Sequence, residues 1–107
     1  MVNRLFMAMA VAWIGLLIPL ATAQADTIDD NFLATLRSEG ITDHISTSHA
    51  IQAGHVVCVK LDNGLSPGDV VRDVLLSSSM PAYHSGFFVG ASIDAYCPRH
   101  KAEIPTG

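Results

Sequence analysis

Positive charge is scarce in this sequence: six Lys and Arg stand against ten Asp and Glu, for a formal net charge of −4. Nucleic-acid phosphates are held by clustered Lys and Arg, so no nucleic-acid partner is expected. A mildly acidic surface gives no attraction to an anionic bilayer either. Strict alternation of apolar and polar residues is missing, which argues against half-buried strands, and neither an internal repeat nor a low-complexity tract occurs. Catalytic motifs are lacking too. Ser77-Ser78-Ser79 has no Gly-x-Ser-x-Gly elbow around it, and the two cysteines are too far apart for a Cys-x-x-Cys redox pair.

What is present begins with an export signal. Asn3 and Arg4 precede an apolar run from Leu5 to Leu20, broken by Pro19, and Ala21-Thr22-Ala23-Gln24-Ala25 follows. Charged, apolar and small residues in that order mark a secretory signal peptide. Two overlapping Ala-x-Ala sites end at Ala23 and Ala25, and cleavage after Ala25 is favoured because Asp26 then opens the polar mature chain. An uncleaved anchor needs roughly 20 apolar residues, more than the run supplies, so no stable membrane span is expected after cleavage. No cysteine lies near this region to receive a lipid. The mean hydropathy of +0.36 is inflated by the signal. Its removal takes away Arg4 and moves the formal charge from −4 to −5.

The remainder is about eighty residues, near the size at which one core struggles to offset chain entropy. With two cysteines in an exported chain, a disulfide between Cys58 and Cys97 is expected. Closing that loop contributes roughly 4 kcal/mol by the chain-entropy relation.

Helical spacing dominates the mature chain. Thr27 is expected to cap a first helix with Ile28, Phe32, Leu33 and Leu36 on one face and Gly40 as its stop. A second helix is predicted from Ser46 to Asp62, closed by Asn63-Gly64, with Thr47, Ala50, Ile51, Gly54, Val57, Cys58 and Leu61 inside one arc of about 120°. Ser66-Pro67-Gly68-Asp69 opens a third, whose buried stripe is Val70, Val71, Val74 and Leu75. A fourth runs from Pro81 to Cys97 and stops at Pro98, with Ala82, Gly86, Val89, Gly90, Ile93 and Cys97 on its expected core face. Glycine costs roughly 1 kcal/mol inside a helix, so Gly54, Gly86 and Gly90 point to a close approach of helices two and four. The tail, residues 99–107, is expected to fray. The fold class that follows is all-α: one small domain, residues 26–98, of four short helices stapled by one disulfide, behind a cleaved signal peptide in residues 1–25.

The string Asp30-x-Phe32-Leu33-x-x-Leu36-x-x-x-Gly40-Ile41, then Ala50 and Gly54 before Val57-Cys58-x-x-Leu61-x-x-Gly64, then Phe88-Val89, Ala91 and Ile93 before Tyr96-Cys97-Pro98, resembles the family called domain of unknown function 732. Its members are small exported proteins of mycobacteria and related actinobacteria. The resemblance covers about residues 29–98 and implies a helical domain, export and paired Cys58 and Cys97. It brings no reaction, ligand or catalytic residue. Gly86 departs from it, where Ala is the more usual residue.

Candidate site residues are few. His44, His49, His55, His84 and His100 invite a metal or haem reading, but His49 and His55 lie about 120° apart on their helix, whereas helical zinc sites use positions i and i+4. A structural role is therefore expected for each, with a shared site of His44, His55 and His84 as the alternative. Asp29-Asp30 sit where a helix dipole favours negative charge. Phe88 points away from Cys97, and Phe87 bridges the two sides of its helix. Either the first helix covers that side, or Phe87 and Phe88 form a contact patch.

No catalytic, cofactor-binding or metal-binding residue is therefore expected. The function expected is a non-enzymatic interaction module, secreted or held in the cell envelope as a monomer, with an unidentified protein or envelope component as partner. The alternative is a carrier of haem, metal or lipid, favoured by a cavity above roughly 300 Å³ bordered by Phe87, Phe88 and a histidine.

Overall fold

The computed structural model describes residues 19–41 and 45–104, so the charged start and most of the apolar part of the expected signal lie outside the described residues. Those residues form four α-helices, α1 (Pro19–Ser38), α2 (Thr47–Asp62), α3 (Pro67–Ser77) and α4 (Ala82–Tyr96), and a 3-10 helix, Pro98–Glu103. No strand occurs among them. The chain is all-α, as its spacing predicts.

Local chemistry sets most boundaries. The Ser46 hydroxyl accepts from the backbone N–H of His49 at 3.3 Å and opens α2. That of Ser66 accepts from Asp69 N–H at 3.2 Å, with Pro67 as the first residue of α3. Each cap satisfies one of the donors a helix start leaves unpaired. Gly40 (φ 72°) and Gly64 (φ 99°) take left-handed backbone directly after α1 and α2, which glycine adopts without strain. Thr27 departs from its expected role. It lies inside α1, and its hydroxyl donates to the Ala23 carbonyl at 2.9 Å, one turn back along a helix that starts earlier than its polar sequence indicated.

The packed part of α1 begins only beyond that point. Residues 22–27 are all exposed, whereas Phe32, Leu33 and Leu36 are buried. The expected cleavage junction after Ala25 therefore lies in helix that touches no core. A chain beginning at Asp26 is expected to melt at the same temperature as one beginning at Pro19; a lower melting temperature would reveal a contact made by residues 19–25.

Helix α4 is the centre of the domain, packing against α1, α2, α3 and the 3-10 helix. Its encirclement explains why it is apolar on nearly every side. The buried face is Ser85, Phe88, Val89, Ser92 and Ile93; Val89, Ile93 and Cys97 are buried as expected, but the face is rotated towards Ser85, Phe88 and Ser92 and leaves Gly86 and Gly90 half-buried and Ala82 exposed. Phe88 is 2% exposed and meets the Phe32 ring edge-on, centroids 5.9 Å apart. The first helix therefore covers Phe88, which removes it from the contact patch. Burying a large aromatic removes far more apolar surface from water than burying glycines would, so Phe88 sets the rotation.

Cys58 and Cys97 are joined by a disulfide, with an S–S distance of 2.03 Å and 5.9 Å between their Cα atoms. The bond ties the last turn of α2 to the end of α4. Beyond it, the expected frayed tail is ordered through Glu103. Arg99 Nη2 donates to both carboxylate oxygens of Asp62, each at 2.7 Å, Lys101 pairs with Asp94, and Ile104 packs on the core. Residues 105–107 lie outside the described residues.

The glycines divide into two kinds. A Cβ at Gly54 would meet Phe32 Cζ at 2.9 Å and Tyr96 Cε2 at 3.0 Å, whereas one at Gly86 or Gly90 would meet nothing within 4 Å. The close approach at Gly54 is thus to two aromatic rings, and the expected glycine contact between α2 and α4 does not form. Gly54→Ala is expected to destabilise the domain by about 1–3 kcal/mol through overpacking. Gly86→Ala and Gly90→Ala should each stabilise it by up to about 1 kcal/mol through helix propensity. Urea denaturation of the three variants checks the opposite signs.

Candidate binding groove

Helices α2 and α3 diverge enough to leave a groove of about 500 Å³ between them. Its walls are Ala53, Val56 and Val57 from α2 and Val70 and Val74 from α3, with Ile45, Met80 and Phe88 closing it. The small Ala53 and the γ-branched-free valines leave the space that longer side chains would fill. Polar residues sit at the rim: His49, Gln52, Lys60 and Ser77-Ser78-Ser79. Several are already engaged. The Ser78 hydroxyl donates to the Val74 carbonyl at 2.7 Å and accepts from Met80 N–H at 3.3 Å. Lys60 pairs with Asp73 of α3 at 3.0 Å. The expected stripe of α3 is buried at Val70 and partly at Val71 and Val74, but Leu75 is exposed and Leu76 is 77% exposed.

A second, shallower depression holds Phe87 with Thr35, Gly90, Ala91, Asp94, Lys101 and Ile104. Phe87 and Phe88 therefore belong to different surfaces. One half of the expected patch is a half-buried side chain beside α1, and the other is a core residue that also closes the α2–α3 groove.

The histidines scatter. His49 is exposed at the groove rim. His55 stacks on Tyr96, ring centroids 3.9 Å apart, and His84 lies 5.9 Å from the Tyr83 ring. His44 lies outside the described residues. Among the described residues no three His, Cys, Asp or Glu side chains converge on a metal position. The Tyr96 hydroxyl donates to Asp29 Oδ1 at 2.5 Å. Burial first, and then the Asp29 carboxylate, push the Tyr96 phenol well above its usual range, so it stays a neutral donor that ties α1 to α4. Sequence spacing had not singled out this pair.

His100 was likewise placed by tertiary structure alone. Its Nε2 lies 2.7 Å from Asp62 Oδ1, and its Nδ1 contacts Glu103. The hydrogen bond to Asp62, then that to Glu103, raise the His100 pKa above 6.5. Asp62 is held below 3.8, first by Arg99 and then by His100. A raised histidine pKa gives stability that is complete below the unfolded value and lost as pH rises through the folded one. The melting temperature is therefore expected to fall as pH climbs from about 6.5 through the His100 titration, and His100→Gln to flatten that slope. Thermal melts across the interval, with the His100 imidazole followed by NMR, check this.

The family described as protein of unknown function (DUF732) matches residues 28–99, the span from the first packed turn of α1 to the 3-10 helix. The chain belongs to this family. It is 33% identical over 98 residues to the uncharacterized protein Rv1271c of Mycobacterium tuberculosis, covering 91% of this chain and 86% of the relative. The uncharacterized protein Mb1302c of Mycobacterium bovis matches to the same extent. Mb1323c of that species is 37% identical over 79 residues, 74% of this chain and 70% of its own. No solved structure matches. The family span contains Cys58, Cys97, Gly54 and the whole α2–α3 groove. No helix among the described residues is long and apolar enough to cross a membrane.

Proposed function

We propose that this family member is a non-enzymatic extracytoplasmic binding protein and that the α2–α3 groove is its binding site. One observation carries the reading: a groove of about 500 Å³, walled by aliphatic side chains with Phe88 at its base and His49 at its rim. That volume falls in the range of small-molecule sites, which are apolar with a few polar groups at the edge. It favours the carrier form of the reading. Support for a non-enzymatic role comes from the rim, where the Ser78 hydroxyl is committed to its own helix. Support for export comes from the signal-like first 25 residues and from the disulfide, a bond that persists in oxidising compartments.

The second reading, docking of a protein or envelope component on the helical surface, is favoured by the exposed Val56, Leu75 and Leu76. Exposed apolar side chains that form a continuous patch mark contact surfaces. Native mass spectrometry of protein taken from the culture medium of an expressing actinobacterial host separates the two. The expected species starts at Asp26, is lighter by two hydrogens than the reduced chain, and carries a non-covalent adduct. Ala53→Phe, which fills the groove, is expected to abolish the adduct. An adduct that survives this change would overturn the groove assignment, and a bare mass would turn the function to protein docking. An unprocessed chain retained in the cells would overturn export.

A further inference from the structure

The composition of the groove goes further than its size. Its wall is aliphatic, set by Ala53, Val56, Val57, Val70, Val74 and Met80. With the Phe88 ring beneath them, branched and thioether side chains present a rounded apolar surface along which a flexible hydrocarbon chain can lie. One side is open, so a ligand can lie along the groove with one end in water.

Charge is distributed as unevenly as polarity. The whole chain has more acids than bases, ten against six, yet among the described residues lining the groove there is no carboxylate. The lining residues able to carry charge are His49 and Lys60, both of which carry it as cations. Acidic net charge disfavours an anionic bilayer, but a single dissolved molecule meets only the local lining. Lys60 Nζ lies 3.0 Å from Asp73 Oδ2, and both side chains keep more than a third of their surface in water. An incoming carboxylate can therefore reach Lys60 by displacing Asp73, whose own charge is then resolvated. We propose that the groove takes a fatty acid, its hydrocarbon chain between α2 and α3 and its carboxylate on Lys60. This inference rests on the groove being the binding site, and it names the ligand class.

The test compares dodecanoate with dodecanol, both below the concentration at which they aggregate, by NMR of the Val57, Val70, Val74 and Met80 methyl groups of the purified protein. Dodecanoate is expected to shift these methyls and to bind about tenfold more tightly than dodecanol, the equivalent of ~1.4 kcal/mol. Lys60→Met is expected to bring dodecanoate down to the affinity that dodecanol shows for the same variant. Asp73→Asn removes the competing carboxylate and is expected to tighten dodecanoate binding, so the inference remains testable should the Lys60 variant not fold. Equal affinities for the two probes, or a Lys60→Met variant that keeps the preference, would overturn the fatty-acid inference while leaving the groove as an apolar site. Failure of both probes to move the groove methyls would overturn the groove itself.

Discussion

The Cys58–Cys97 bond is the constraint on which the rest of this domain depends. It closes a loop of sequence separation 39, which contributes roughly 4 kcal/mol by restricting the unfolded chain, a large share of what so small a core can offer. Its position matters as much as its magnitude. By fixing the end of α2 to the end of α4 it brings Asp62, one turn beyond Cys58, against the backbone that follows Cys97. The Arg99, His100 and Glu103 network forms there and orders a segment whose composition alone reads as frayed. Ion pairs of this exposure are individually weak. Here they act on chain already held in place by a covalent bond, so little ordering entropy is left to offset.

A second lock stands one turn back along the same face of α2. Phe32 of α1 and Tyr96 of α4 tilt together, centroids 5.0 Å apart, over the bare backbone of Gly54, and the Tyr96 hydroxyl reaches back to Asp29. One glycine thereby lets two rings from different helices share a single surface of α2. The ring pair joins α1, α2 and α4, while the disulfide joins α2 and α4 alone. Together they account for why α1 covers Phe88 and why α4 sits at the centre.

Helix ends and covalent pairing were legible in the sequence because they are local or forced. Ser46, Ser66-Pro67, Gly40 and Gly64 set their boundaries through chemistry within a few residues, and two cysteines in one chain offer a single pairing within it. The rotation of α4 was not legible. A helix with apolar residues on nearly every side has no direction in its periodicity, so Gly86 and Gly90 were placed inward when the bulk of Phe88 and the small buried Ser85 and Ser92 decide otherwise. Thr27 misled for a related reason: the first polar residues after an apolar run imitate a helix start even when the helix continues through them. The groove was invisible to pattern analysis because it depends on the spacing of two helices, which Ala53 and the adjoining valines set only once α2 and α3 face each other. His100 and the Tyr96–Asp29 pair arise from contacts across 38 and 67 positions, beyond any local signal.

The same arrangement explains why the groove lies where it does. The disulfide, the Asp62 network and the ring pair all bind α1, α2, α4 and the 3-10 helix to one another. Helix α3 shares in none of them. Its buried residues are Pro67 and Val70, and the side-chain bond it makes to another helix is the partly exposed Lys60–Asp73 pair. It is held instead by its packing against α4. The groove therefore lies between α2, fixed near its end by a covalent bond, and α3, which is held by its packing on α4 and by the Lys60–Asp73 pair and by no cross-link of its own.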